Sequence, residues 1–107
     1  MRIPQNALIL REKLTDYLLV RKSEDDKSQF LGQAGFTMES ADALEAAIRR
    51  HIATYDAQID RSNQFGEYYV VHGELVGVNE QVLSVTTVWI QDAGSERLRF
   101  ITLKPRR

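Results

Sequence analysis

The chain has 107 residues, 43% hydrophobic and 27% charged, which fits one soluble globular domain and leaves no room for a second. It has no cysteine, which excludes disulfide scaffolds, thiolate zinc sites, iron–sulfur clusters and cysteine nucleophiles. Fourteen Lys and Arg against fifteen Asp and Glu leave a net charge of -1, so total charge announces neither a nucleic acid nor a membrane.

The balance hides an asymmetry. Residues 28–96 carry 3 basic side chains against 10 acidic, whereas residues 97–107 carry 5 basic and no acidic side chain. A short basic end of this kind is either a solvated tail or a hold on phosphates. Residues 1–10 have only a short apolar run and no small-residue cleavage site, so no secretory signal is expected. Nothing approaches the length of a membrane span, and a cytoplasmic home is the default expectation.

The first half reads as helical. Leu10, Leu14, Tyr17 and Leu18 share one face of a helix from about Arg11 to Val20. The polar run Arg21–Asp26 breaks it, and its acidic residues suit the first turn of a second helix through Lys27, Phe30 and Leu31 to about Gly35. A third helix carries Leu44, Ala47, Ile48, His51, Ile52 and Tyr55 at 3.6-residue spacing, with Ser40 as its N-cap. His51 lies within that apolar stripe and reads as a packed histidine.

After Tyr55 the period becomes 2. Tyr55, Ala57 and Ile59 alternate with polar residues as in a short edge strand, and Asn63–Gly66 supplies a turn. Glu67–Val76, Val82–Gln91 and Arg97–Leu103 have strand composition, separated by turns at Gly77–Glu80 and Asp92–Ser95. The expected architecture is α+β, with three N-terminal helices packed on a four-stranded antiparallel meander, all within 1–107. Alternation places Leu83, Val85, Thr87 and Trp89 with Leu98, Phe100 and Thr102 against the helices. The opposite face receives Ser84, Thr86 and Val88 beside Arg97, Arg99 and Ile101. Tyr68, Val70, His72 and Glu74 share a side, but which side depends on register.

Several stretches carry a resemblance: Lys13 to Leu19, Lys27 through Phe36, Phe65 to Val71, Val88-Trp89-Ile90, and Arg97 to Thr102. In this order they resemble a bacterial domain family of unknown function, about 110 residues long. Its members are free-standing proteins or C-terminal modules of polymorphic, contact-dependent toxins. The resemblance implies a toxin-like domain, and its layout is similar to the barnase–colicin class of ribonuclease toxins. This chain departs from the family in its charged run Lys22–Asp26. It departs also at His72, where the family more often has an acidic residue, so no role for His72 comes from the family.

Metal-independent RNA cleavage needs a base for the 2′-hydroxyl proton, an acid for the leaving oxygen, and cations for the phosphorane charge. The catalytic candidates are Lys13, Lys27, His72 and Arg99. Arg97, Lys104 and Tyr68 are the nucleic-acid-binding candidates, with Tyr68 able to stack on a base. Two histidines without clustered carboxylates make no metal motif, and no cofactor fingerprint is present. The expected partners are RNA, a cognate antitoxin or immunity protein, or a second copy covering a sheet edge or the open face. The alternative is a non-enzymatic adaptor; the charge of -1 favours it, whereas the resemblance favours the toxin.

Overall fold

The structure, a computed structural model, describes residues 1–19 and 27–106. Four antiparallel strands run in the order β1 (Ala57–Asn63), β2 (Gly66–Val76), β3 (Val82–Asp92) and β4 (Leu98–Pro105). Tight turns join them where the sequence predicts. Asn63 Oδ1 accepts the Phe65 N–H at 2.9 Å, and Ser95 N donates to the Asp92 carbonyl at 2.9 Å. Gly66 lies at φ 149°, where an added Cβ would collide with the Gln91 carbonyl, so the β1–β2 turn requires glycine.

The helical half departs from the expectation of three N-terminal helices. Among the described residues the one long helix lies mid-chain: a 3₁₀ turn, Met38–Ser40, leads into α3 (Ala41–Thr54). The predicted first helix is one α turn, α1 (Arg11–Lys13), followed by a π turn over Leu14–Leu18 closed by Leu19 N to the Leu14 carbonyl at 2.9 Å. The wider turn suits packing, because Leu14 and Leu18 are both fully buried while Leu10 stays exposed. Among the described residues the second element is α2 (Lys27–Gly32). Val20 and the predicted acidic first turn of α2, including Lys22–Asp26, lie outside the described residues. Ser40 stands at the N-cap position of α3, as expected, but its side chain makes no capping bond to that helix. The chain is extended at Thr37, and Ser40 Oγ accepts the Thr37 N–H at 2.7 Å, so Ser40 closes the 3₁₀ turn from inside.

The N-terminal segment is a strap across the sheet. The Met1 carbonyl accepts from Ala57 N on β1, and Leu8 bridges Arg99 on β4 in parallel. One apolar core lies between the sheet and this layer: Leu14, Leu18, Leu31, Leu44, Ile48 and Ile52 meet Val71, Val85, Trp89, Phe100 and Leu103. Trp89 and Phe100 pack edge to face with centroids 5.3 Å apart. His51 is buried, as its stripe predicts.

Two bulges alter the faces. Between β1 and β2 the pairing passes from Ile59↔Tyr69 to Arg61↔Tyr68, leaving Asp60 as the extra residue. Between β3 and β4 it passes from Trp89↔Phe100 to Val88↔Thr102, leaving Ile101 as the extra residue. Each extra residue reverses the alternation beyond it. Thr102, expected in the core beside Phe100, therefore stands on the opposite face, and Leu103 takes the core position opposite Thr87. Ile59 lies on the side of buried Ala57 but is 62% exposed, beyond the cover of the helices.

Candidate functional site

Register puts four rows of side chains on the sheet face away from α3. Arg61, Tyr68, Ile90 and Arg99 lie across the sheet in one row; Val70, Val88 and Thr102 form the next, then His72, Thr86 and Lys104, then Glu74 and Ser84. A groove of about 490 Å³ runs over this face, lined by Asp60, Arg61, Tyr68, His72, Thr102 and Lys104 among others.

His72 is half-buried, and its Nδ1 lies 2.7 Å from Thr86 Oγ1. Thr86 is itself buried, so this contact fixes the ring against the sheet. Among the described residues no protein group hydrogen-bonds His72 Nε2. Lys27, at the start of α2, ties the helical layer to the groove. Its Nζ donates to Thr102 Oγ1 at 2.9 Å and to the Tyr17 hydroxyl at 3.2 Å, and stands 5.1 Å from the Tyr17 ring centroid. The bulge at Ile101 makes this possible, since regular alternation would bury Thr102 beneath the sheet. Lys104 faces the groove for the same reason. At the other end the Arg61 guanidinium stacks over the Tyr68 ring at 4.4 Å, brought to this face by the bulge at Asp60.

The predicted residues thus separate into groups. His72, Lys104 and Tyr68 line one groove, and Lys27 reaches its edge through Thr102. Arg99 shares the face but is held at its end by a two-pronged pair with Asp92, Nε and Nη2 donating at 2.8 and 3.0 Å. That hydrogen bond draws the Asp92 carboxyl below its ordinary pKa and raises that of Arg99. Arg97 lies elsewhere. It precedes β4 and donates to the Asn6 carbonyl at 3.2 Å, so Arg97, Arg99 and Lys104 do not face one groove together. Lys13 is half-buried on α1 and does not line the groove. Sequence reasoning missed Arg61 and Thr102 as groove residues and Tyr17 as a partner of Lys27; the first two are re-aimed by bulges, which leave no mark on a period-2 pattern.

On the core side, His51 joins α3 to β2 and β3. Its Nδ1 lies 3.1 Å from the Glu74 carbonyl and its Nε2 3.1 Å from Thr87 Oγ1, which also accepts the Trp89 indole N–H at 2.9 Å. A neutral ring with its proton on Nδ1 satisfies three contacts, indole N–H to threonine, threonine O–H to Nε2 and Nδ1–H to the Glu74 carbonyl, but not the Val71 carbonyl 3.3 Å from Nε2. Burial lowers the His51 pKa, in keeping with that neutral form. This histidine is structural. Among the described residues no three His, Asp or Glu stand together as a metal site, and no helix is long and apolar enough to cross a membrane.

A short helical layer on one side of a four-stranded antiparallel meander, with a polar groove on the other, defines the class as a two-layer α+β fold. The chain belongs to the family described as Domain of unknown function (DUF6883), whose model matches residues 3–107. No curated protein is significantly similar to it. Among solved structures it is similar to a chain of a contact-dependent growth inhibition toxin–immunity protein complex from Klebsiella pneumoniae 342. The TM-score is 0.68 at 15% identity, covering 95% of each chain. At that identity the likeness is one of fold.

Proposed function

We propose that this is a toxin-type domain that cleaves RNA without a metal ion, through the open-face groove, and that a small cognate protein neutralises it by covering that groove. The observation that carries this reading is a groove lined by Lys104 and by His72, whose Nε2 no protein group engages among the described residues, with Lys27 reaching its edge through Thr102. The fold it shares with a chain of the toxin–immunity complex supports it. Occurrence as the C-terminal module of a larger toxin is part of the proposal.

Cleavage would proceed by attack of the 2′-hydroxyl on the neighbouring phosphorus. His72, donating Nδ1–H to Thr86, carries its lone pair on Nε2 and accepts the 2′ proton. The 5′-oxygen departs with a proton from the Lys27 ammonium, leaving a 2′,3′-cyclic phosphate. Lys27 and Lys104 meet the charge that builds on the phosphorane oxygens, where fixed donors act most strongly. Arg99 has a positioning role at the end of the groove through Asp92. Lys13 and Arg97 lie away from the groove and have no part in this step.

The test is incubation of the purified protein with end-labelled RNA in the presence of a chelator. Wild type should leave cyclic-phosphate ends, and His72→Ala should lose roughly 10²–10⁴-fold in rate, the ordinary worth of a general base. Arg97→Ala should cleave as wild type does. An acidic chain centre and a net charge of -1 favour a second reading, the non-enzymatic adaptor. It prevails if RNA is neither bound nor cut while a protein partner still occupies the open face.

A further inference from the structure

The groove has two ends of different chemistry, and their separation bears on what kind of RNA fits it. At one end is the Arg61–Tyr68 stack, with the guanidinium carbon 4.4 Å from the ring centroid. At the other end is the row of His72, Thr86 and Lys104. Tyr68 and His72 are four residues apart on one strand face, about 13 Å at the rise of a β-strand. Between them β2 and β3 present Val70 opposite Val88, both half-buried, which offer no donor to a phosphate.

A peptide unit's three backbone bonds advance about 3.8 Å, so a nucleotide's six reach roughly 7 Å when extended. The interval from stack to histidine therefore corresponds to about two nucleotides. An intact A-form duplex cannot present its bases to such a platform, because they are stacked on each other in the helix. A splayed single strand can. Aromatic rings and arginine planes are the usual partners of such unstacked bases.

We infer that Arg61 and Tyr68 form a base-stacking subsite for single-stranded RNA, occupied by the nucleotide two positions from the one cleaved at His72. This rests on the ribonuclease reading and sharpens it. The subsite exists because Asp60 is an extra residue in β1; with regular alternation Arg61 would point to the core side, and Tyr68 would lack its covering cation. The groove is consequently selective for length: a dinucleotide can fill the histidine end but cannot also reach the stack.

The experiment compares a fluorescent tetranucleotide with a dinucleotide, both 2′-O-methylated so that neither can be cut, by anisotropy titration against the full chain. Wild type should bind the tetramer at least tenfold more tightly than the dimer. Tyr68→Ala should remove roughly tenfold or more of the tetramer's affinity, in the range expected of one stacked base, and leave the dimer unchanged. Tyr68→Phe should behave as wild type. Arg61→Ala, an exposed substitution that leaves the strand core alone, should fall between, and guards against misfolding of the tyrosine variant. Wild type that cuts RNA but gains nothing from the longer ligand would overturn the subsite and leave the ribonuclease reading standing. Wild type that neither cuts RNA nor binds the tetramer would overturn both.

Discussion

The two faces of this sheet obey different rules. On the side of α3, buried residues recur with strict alternation along β3, from Leu83 through Val85 and Thr87 to Trp89. On the groove side the proposed site depends on breaks in that alternation, at Asp60 and Ile101. The core face is built by repetition because every position meets the same apolar layer. The groove face needs particular groups at particular places, and bulges supply them by re-aiming the residues beyond the break. Mutations should therefore behave differently on the two faces, costing stability on one and chemistry on the other.

The largest effect belongs to the core face. Trp89 is fully buried, packs on Phe100 and donates its indole N–H to Thr87. Trp89→Ala should cost about 3–5 kcal/mol in a denaturant melt, the usual range for an emptied aromatic site. A change under ~1 kcal/mol would mean the face is not the packed one. Next is Gly73, over which the Tyr55 ring lies so closely that an added Cβ would collide with it. Gly73→Ala should cost about 1–3 kcal/mol as an overpacking change. Tyr55→Ala in that background should recover part of the loss, whereas additive costs would show that the ring is not the obstacle.

Legibility in the sequence divides along the same line. Residues whose environment is set by periodicity were readable: the stripe Leu44, Ile48 and Ile52, the core strand positions, the three turns, and His51 as a packed histidine. The β1 strand begins with Ala57 and runs further than the short edge its alternation suggested. Thr102 was misplaced because Ile101 is an extra residue, and nothing in Phe100-Ile101-Thr102-Leu103 distinguishes a bulge from a regular strand. The shortened first helix was hidden likewise, since Leu14 and Leu18 satisfy both a 3.6-residue and a wider turn. His72, Lys104, Tyr68 and Lys27 could be named by chemistry, but that the first three line one groove and Lys27 reaches its edge could not. Convergence depended on register and two bulges, which are tertiary outcomes.

The third effect is a pH dependence located on the core face. Burial holds the His51 pKa below its ordinary value, so the folded state binds that proton less readily than the unfolded chain. Above about pH 6.5 the ring is neutral in both states, and its contribution to stability is complete. As the pH falls from there toward the lower folded value, the unfolded chain takes up the proton first and stability declines. The slope reaches at most about 1.4 kcal/mol per pH unit for one group. Denaturant melts between pH 7.5 and 5.5 should show that decline, and His51→Gln should flatten it from a lower starting stability. An unchanged slope in the variant would place the dependence on another group.

The smallest effect tests the bulge itself. Deleting a residue from a regular strand inverts every side chain beyond the deletion, so removal of Thr87 from β3 should abolish folding by exchanging core and groove positions across half the strand. Ile101 is different. Phe100 already pairs with Trp89 and Thr102 with Val88, so its removal joins two segments whose faces agree without it. Leu103 should stay in the core and Lys104 in the groove. The variant lacking Ile101 should therefore unfold cooperatively, with a loss well below that of Trp89→Ala, and keep its near-ultraviolet tryptophan signal. What it loses is the local bend that brings Thr102 to Lys27 at 2.9 Å. The proposed cleavage should then fall more than stability does. A deletion variant that unfolds as completely as the Thr87 deletion would show that β4 is regular there, and would return Thr102 to the core.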